Sequence, residues 1–138
     1  MRARIVFLAL CLAGPFGAGP AAAQEADVDA GRELYRTYCW QCHGPDAYGN
    51  GPMAEILAIP TPDLTRLSAW NDGVFPLEEV ARQIDGRDEL LAHGGEMPIF
   101  GPALDADRAV AFRLPTGQRM LASQPLADLL VYLESLQE

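Results

Sequence analysis

The stretch Cys39-Trp40-Gln41-Cys42-His43 places two thiols three positions apart and an imidazole directly after the second. This is the form C-x-x-C-H, the pattern of covalent haem attachment. Each thiol can add across one vinyl group, and the imidazole can then reach the iron as an axial ligand. On this reading Cys39 and Cys42 bind one haem c and His43 is its first axial ligand.

Other uses of the same residues fit less well. A disulfide between Cys39 and Cys42 would close almost no loop and so gain little entropy. A structural zinc site needs four ligands. The chain after residue 23 offers Cys39, Cys42, His43 and His93, and the adjacent Cys42 and His43 do not easily share one tetrahedral ion. A thioredoxin-like pair needs a βαβ setting, which this Pro-rich helical pattern lacks.

The segment before the motif reads as an export signal. Arg2 and Arg4 precede the apolar run Ile5 to Leu12, and Ala21-Ala22-Ala23 supplies a small-residue cleavage site. The run is far short of the ~20 apolar residues that span a bilayer. A lipid anchor at Cys11 is disfavoured, because Leu10 rather than a small residue precedes it. The expectation is a signal peptide over 1–23, cleaved after Ala23, and one mature domain over 24–138 in the periplasm, where haem is attached after export. The chain of 138 residues would then keep 115, a small domain with a modest core.

All ten basic residues are arginines and there is no lysine. The net charge of −9 becomes −11 once Arg2 and Arg4 are removed. Nucleic acid and anionic membrane surfaces need positive charge and are poor candidate partners; on net charge alone the expected partner is a basic protein, or one met through an apolar patch.

Downstream, Asp29 reads as the cap of a helix reaching about Cys39. Gly31, Leu34, Tyr35 and Tyr38 share one face of it. A helix glycine costs about 1 kcal/mol relative to alanine, so Gly31 suggests a second helix crossing there. Gly44-Pro45 ends the motif and Asn50-Gly51-Pro52 turns. Met53 to Ala58 suits a short helical turn. Ile59-Pro60-Thr61-Pro62-Asp63-Leu64 reads as an extended wrapping loop. Leu77, Val80, Ala81 and Ile84 predict a helix stopped by Gly86. Ala109 to Leu114, Pro115-Thr116-Gly117 and Gln118 to Ala122 predict a small hairpin. Ser123 and Pro125 open a last helix with Leu126, Leu129, Leu130, Leu133 and Leu136 in one stripe and Tyr132 beside it.

A haem iron has a second axial position, for which Met53, Met97, Met120 and His93 are candidates. Met53 lies only ten residues past His43 and would need a tight wrap. Met120 looks like packing, and His93 like an exposed polar residue. Met97 stands in a loop between Gly94-Gly95 and Pro98, far enough along to reach the opposite haem face. Its soft thioether suits iron and raises the potential.

The chain resembles the class I c-type cytochromes of the bacterial periplasm. Cys39-Trp40-Gln41-Cys42-His43-Gly44 is similar to their attachment motif, and Met97-Pro98-Ile99-Phe100-Gly101 to their Met-Pro-x-Phe axial loop. Gly31 and Tyr35 match the family's first helix, Leu129 and Tyr132 its last, and in the family these two helices cross. The resemblance covers nearly all of 29–138.

It implies an all-α fold of three main helices and wrapping loops around one haem c. Cys39 and Cys42 would form the thioethers, with His43 proximal and Met97 distal. Pro60 or Pro62 would accept the second His43 ring N–H. Tyr48 and Trp70 are candidate partners of the propionates. The implied function is non-enzymatic electron transfer by iron cycling between Fe(III) and Fe(II), to redox partner proteins, by a monomer unless part of a complex. The alternative is a cytochrome subunit, or tightly docked donor or acceptor, of a larger oxidoreductase. A haem enzyme or gas sensor ranks last, since no acid/base constellation supports it. The chain departs from the family's short form at 103–122, an extra segment before the last helix. The lysine-ringed haem edge of some relatives is also absent.

Overall fold

In the computed structural model, residues 25–87 and 97–138 are described. The expected leader over 1–23, the boundary after it, and His93 with Gly94-Gly95 lie outside the described residues. Among the described residues four helices and one hairpin follow in order: α1 (Val28–Tyr38), α2 (Trp40–His43), α3 (Leu77–Asp85), β1 (Ala109–Arg113), β2 (Arg119–Ser123) and α4 (Gln124–Ser135). Short 3₁₀ turns at Ala54–Ile56, Leu64–Arg66 and Gly101–Ala103 punctuate the loops. The domain is thus mainly helical, with the expected hairpin before the last helix.

The core is the crossing of α1 and α4. Tyr35 and Tyr132 meet there with ring centroids 5.5 Å apart. Leu126, Leu129, Leu130 and Leu133 are all buried along α4, and each contributes about 1.5–3 kcal/mol of transfer free energy. A Cβ on Gly31 would overlap the carbonyl oxygen of Asp128 and stand 2.7 Å from the Cβ of Tyr132. Position 31 is therefore glycine because another backbone occupies the space of a side chain.

Two caps differ from expectation. The cap of α1 is Asp27, whose carboxylate accepts from the N–H groups of Asp29 and Ala30. Its own N–H donates to Asp128 Oδ1 at 2.8 Å. Thus α4 fixes where α1 starts, and Asp29 falls inside the first turn, where its charge suits the helix dipole. Ser123 does stand at the N-cap of α4, but its hydroxyl donates to Leu104 O at 2.6 Å. It tethers the extra segment instead of capping. For α3 the expected stop holds: Gly86 is left-handed (φ 76°) and its N–H donates to Arg82 O.

The hairpin pairs Val110 with Ala122, Ala111 with Leu121, Phe112 with Met120 and Arg113 with Arg119. Val110, Met120 and Ala122 are buried on its inner face, as a strand period of two requires. No described helix is long and apolar enough to cross a membrane.

Candidate haem-attachment site

The motif forms its own short helix, α2. The N–H groups of Cys42 and His43 donate to Cys39 O at 3.2 and 3.0 Å. The following loop folds back beneath it. Met53 N–H donates to Gln41 O at 2.8 Å, Gly51 N–H to Cys42 O at 3.0 Å and Gly49 N–H to His43 O at 2.8 Å. Three carbonyls at the end of α2 thus find partners. A Cβ on Gly51 would stand 2.7 Å from the Cys42 carbonyl carbon, so the Asn50-Gly51 turn permits this close return. Tyr35, within the helix crossing, donates its hydroxyl to Gly44 O at 2.6 Å. The motif is therefore anchored directly to the core.

Both thiols are free, Cys39 buried and Cys42 half-buried. Burial pushes the Cys39 thiol up to about 12, with the neighbouring Cys42 adding to the shift. His43 is buried, and burial lowers its pKa against the opposing hydrogen bond to Pro62. Its Nδ1 lies 3.4 Å from Pro62 O. Of the two prolines in the wrapping loop, Pro62 is thus the one that meets the ring. With Nδ1 directed to a carbonyl, Nε2 is left for a metal, and such a partner fixes ring orientation.

Met97 is half-buried against the core. The loop it opens docks on the end of α3: Phe100 N–H donates to Ile84 O at 2.8 Å. Side chains at positions 86 and 101 would collide with Ile99 and with the Asp85 carbonyl respectively. Gln83 Nε2 stands 3.9 Å from the Met97 sulfur. Phe100 also packs on Tyr38, with ring centroids 5.8 Å apart, linking this loop to the end of α1. Gln83 was not legible as a site residue, being one polar position on an amphipathic helix.

The other ligand candidates are placed differently. Met120 is buried in β2, as packing, and Met53 is exposed. Tyr48 donates its hydroxyl to Glu138 Oε1 at 2.9 Å, which also raises its pKa. Trp70 is 58 % exposed.

The residues fit a haem on this chain's own features. Two free thiols sit beside a buried imidazole whose Nδ1 already has an acceptor. A soft sulfur is held in a separate, docked loop. Met53, Ile56, Ile59, Trp70 and Val74 expose large apolar side chains in the stretch of chain between these two parts. Among the described residues no three His, Cys, Asp or Glu side chains converge as a metal-ion site.

Comparison with known proteins gives one family. The model described as cytochrome C oxidase, cbb3-type, subunit III matches residues 26–112. The match takes in the C-x-x-C-H motif and the Met97 loop and ends inside β1. No curated protein and no solved structure matches the chain.

Proposed function

We propose, since the chain belongs to the family of cytochrome c oxidase, cbb3-type, subunit III, that it is an electron-carrying domain with named haem contacts. Cys39 and Cys42 hold one haem c by thioether bonds. His43 Nε2 takes the proximal position and Met97 the distal one. The haem supplies a one-electron Fe(III)/Fe(II) couple when bound. Pro62 O orients the His43 ring, and Gln83 donates towards the Met97 sulfur. With His43 and Met97 as its ligands, a bound haem would pass electrons and leave the iron no free position for a substrate.

The observation that carries this reading is the buried His43, with Nδ1 facing Pro62 O and both motif thiols alongside. The test is expression with a cytochrome maturation system. A mass increase by one haem that survives denaturation, with a low-spin spectrum and a reversible redox titration, is expected. Carbon monoxide binding to the reduced protein at neutral pH would instead indicate an open axial position and a haem enzyme or sensor.

Residues 1–23 serve as the export signal on this reading, with cleavage after Ala23 and a periplasmic domain over 24–138. N-terminal sequencing of the periplasmic product checks both. The family description, an oxidase subunit, favours a second reading: a subunit or tightly docked donor of a larger oxidoreductase. Native-gel migration with an oxidase supports it, and recovery of free monomer alone removes it.

A further inference from the structure

The arginines of this acidic chain are unevenly used. Arg32, Arg36, Arg82 and Arg87 form ion pairs with Asp29, Glu33, Glu78 and Asp85. Among the described residues Arg66, Arg108, Arg113 and Arg119 have no ion-pair partner. Three of these four belong to the hairpin or the residue before it. The span 108–127 holds those three arginines and no Asp or Glu, inside a chain of net charge −9.

Arg113 lies directly opposite Arg119, and like charges so placed are destabilising. Beside them on the outer face, Ala111 is opposite Leu121, and Leu121 is 61 % exposed. The inner face is already committed to the core through Val110, Met120 and Ala122. Only the outer face, a small apolar centre bordered by guanidinium groups, is open to a partner.

The hairpin end also approaches the Met97 side of the domain. Leu114, Pro115 and Thr116 line a groove of about 420 Å³ together with Phe75, Leu77 and Gln83. Gln83 is the residue whose amide stands 3.9 Å from the Met97 sulfur.

We propose that the outer face of the β1–β2 hairpin is a docking surface for a partner protein whose complementary patch is acidic with an apolar centre. Arg113 and Arg119 would pair with its carboxylates, relieving their mutual repulsion, and Leu121 would be covered. Paired charges of this kind steer encounter and set register. The proposal deepens the electron-carrier reading, which supplies what crosses the contact; the contact itself is tested without it.

The full chain, expressed with a cytochrome maturation system, is passed at low ionic strength over a mixed monolayer of carboxylate- and methyl-terminated chains. Net charge alone predicts repulsion. Retention is expected, and added salt should release the protein. Arg113→Glu/Arg119→Glu should weaken retention about tenfold or more, and Leu121→Ser less. Arg66→Glu, against the single Arg119→Glu, reverses the same charge elsewhere and should leave retention intact. Should the double reversal disturb folding, Arg113→Gln/Arg119→Gln removes the charge without inverting it. No retention of the unaltered protein, or equal retention of the double variants, overturns the proposal. Sedimentation that shows self-association abolished by the same variants would seat a second copy there and overturn the choice of partner. The absorption spectrum of each sample scores the haem reading separately.

Discussion

Gly31 of α1 lies against the backbone carbonyl of Asp128 in α4, so closely that a Cβ at position 31 would overlap that oxygen. Two effects of Gly31→Ala therefore oppose each other. In an isolated helix alanine gains about 1 kcal/mol over glycine. At this crossing it must push two helices apart, at a cost of about 1–3 kcal/mol or more. The backbone clash wins, because the obstructing atom cannot rotate away. Denaturant unfolding of the haem-loaded variant should show a net loss of stability, and a gain would disprove the crossing.

Gln137 fastens the loop that faces His43. Its Nε2 donates to Leu64 O and Leu133 O, both at 2.8 Å, and its Oε1 accepts from Ser68 N–H at 2.8 Å. Glu138 N–H adds a bond to Thr65 O at 3.0 Å. Pro62, whose carbonyl faces the ring, is two residues before Leu64. Gln137→Leu should cost about 1–3 kcal/mol through unpaired backbone groups. It should also loosen the Pro62–His43 contact, make the imidazole a poorer electron donor and raise the midpoint potential. A stability loss with an unchanged potential would show that the loop is held by other means.

The Cys39 thiol, pushed up to about 12 by burial, is a poor nucleophile in the folded haem-free chain. Iodoacetamide at pH 8 should modify the half-buried Cys42 before the buried Cys39, and urea should bring the two rates together. The folded state keeps a proton that the unfolded state loses above its ordinary value of 9.0. Stability of the haem-free chain should therefore fall as pH rises from that value towards 12. Equal labelling without denaturant would contradict the burial of Cys39.

Met97→Ala should leave haem attached while removing the near-infrared band of a ferric iron–thioether bond and lowering the potential. Met120→Ala should preserve that band and cost about 2–5 kcal/mol of stability, because Met120 is buried between β2 and the core. Exchange of the two phenotypes would transfer the distal ligand to Met120.

Much of this was legible in the chain because it is local or periodic. The spacing of Cys39, Cys42 and His43 states its chemistry within five residues. Gly31 on an aromatic helix face announced a crossing, and the Pro115-Thr116-Gly117 turn announced the hairpin. The departures are contacts between distant segments. Asp27 displaced Asp29 as the cap because Asp128, 101 residues later, receives its N–H. Asp128 is a buried carboxylate within a leucine-rich helix, and also accepts from Gln124 Nε2 at 2.7 Å; no helical period marks it out. Ser123 spent its hydroxyl on Leu104, and Gln137 reaches back 73 residues to Leu64. Single polar residues of this kind take their role from whichever loop the fold brings to them.

Covalent attachment through Cys39 and Cys42 is the claim on which the rest depends. The direct measurement is the intact mass and denaturing-gel haem stain of Cys39→Ala/Cys42→Ala, matured in parallel with the unaltered chain. One haem retained through denaturation by the unaltered chain and none by the double variant is the expected result. Haem that stays covalently bound to the double variant would contradict it.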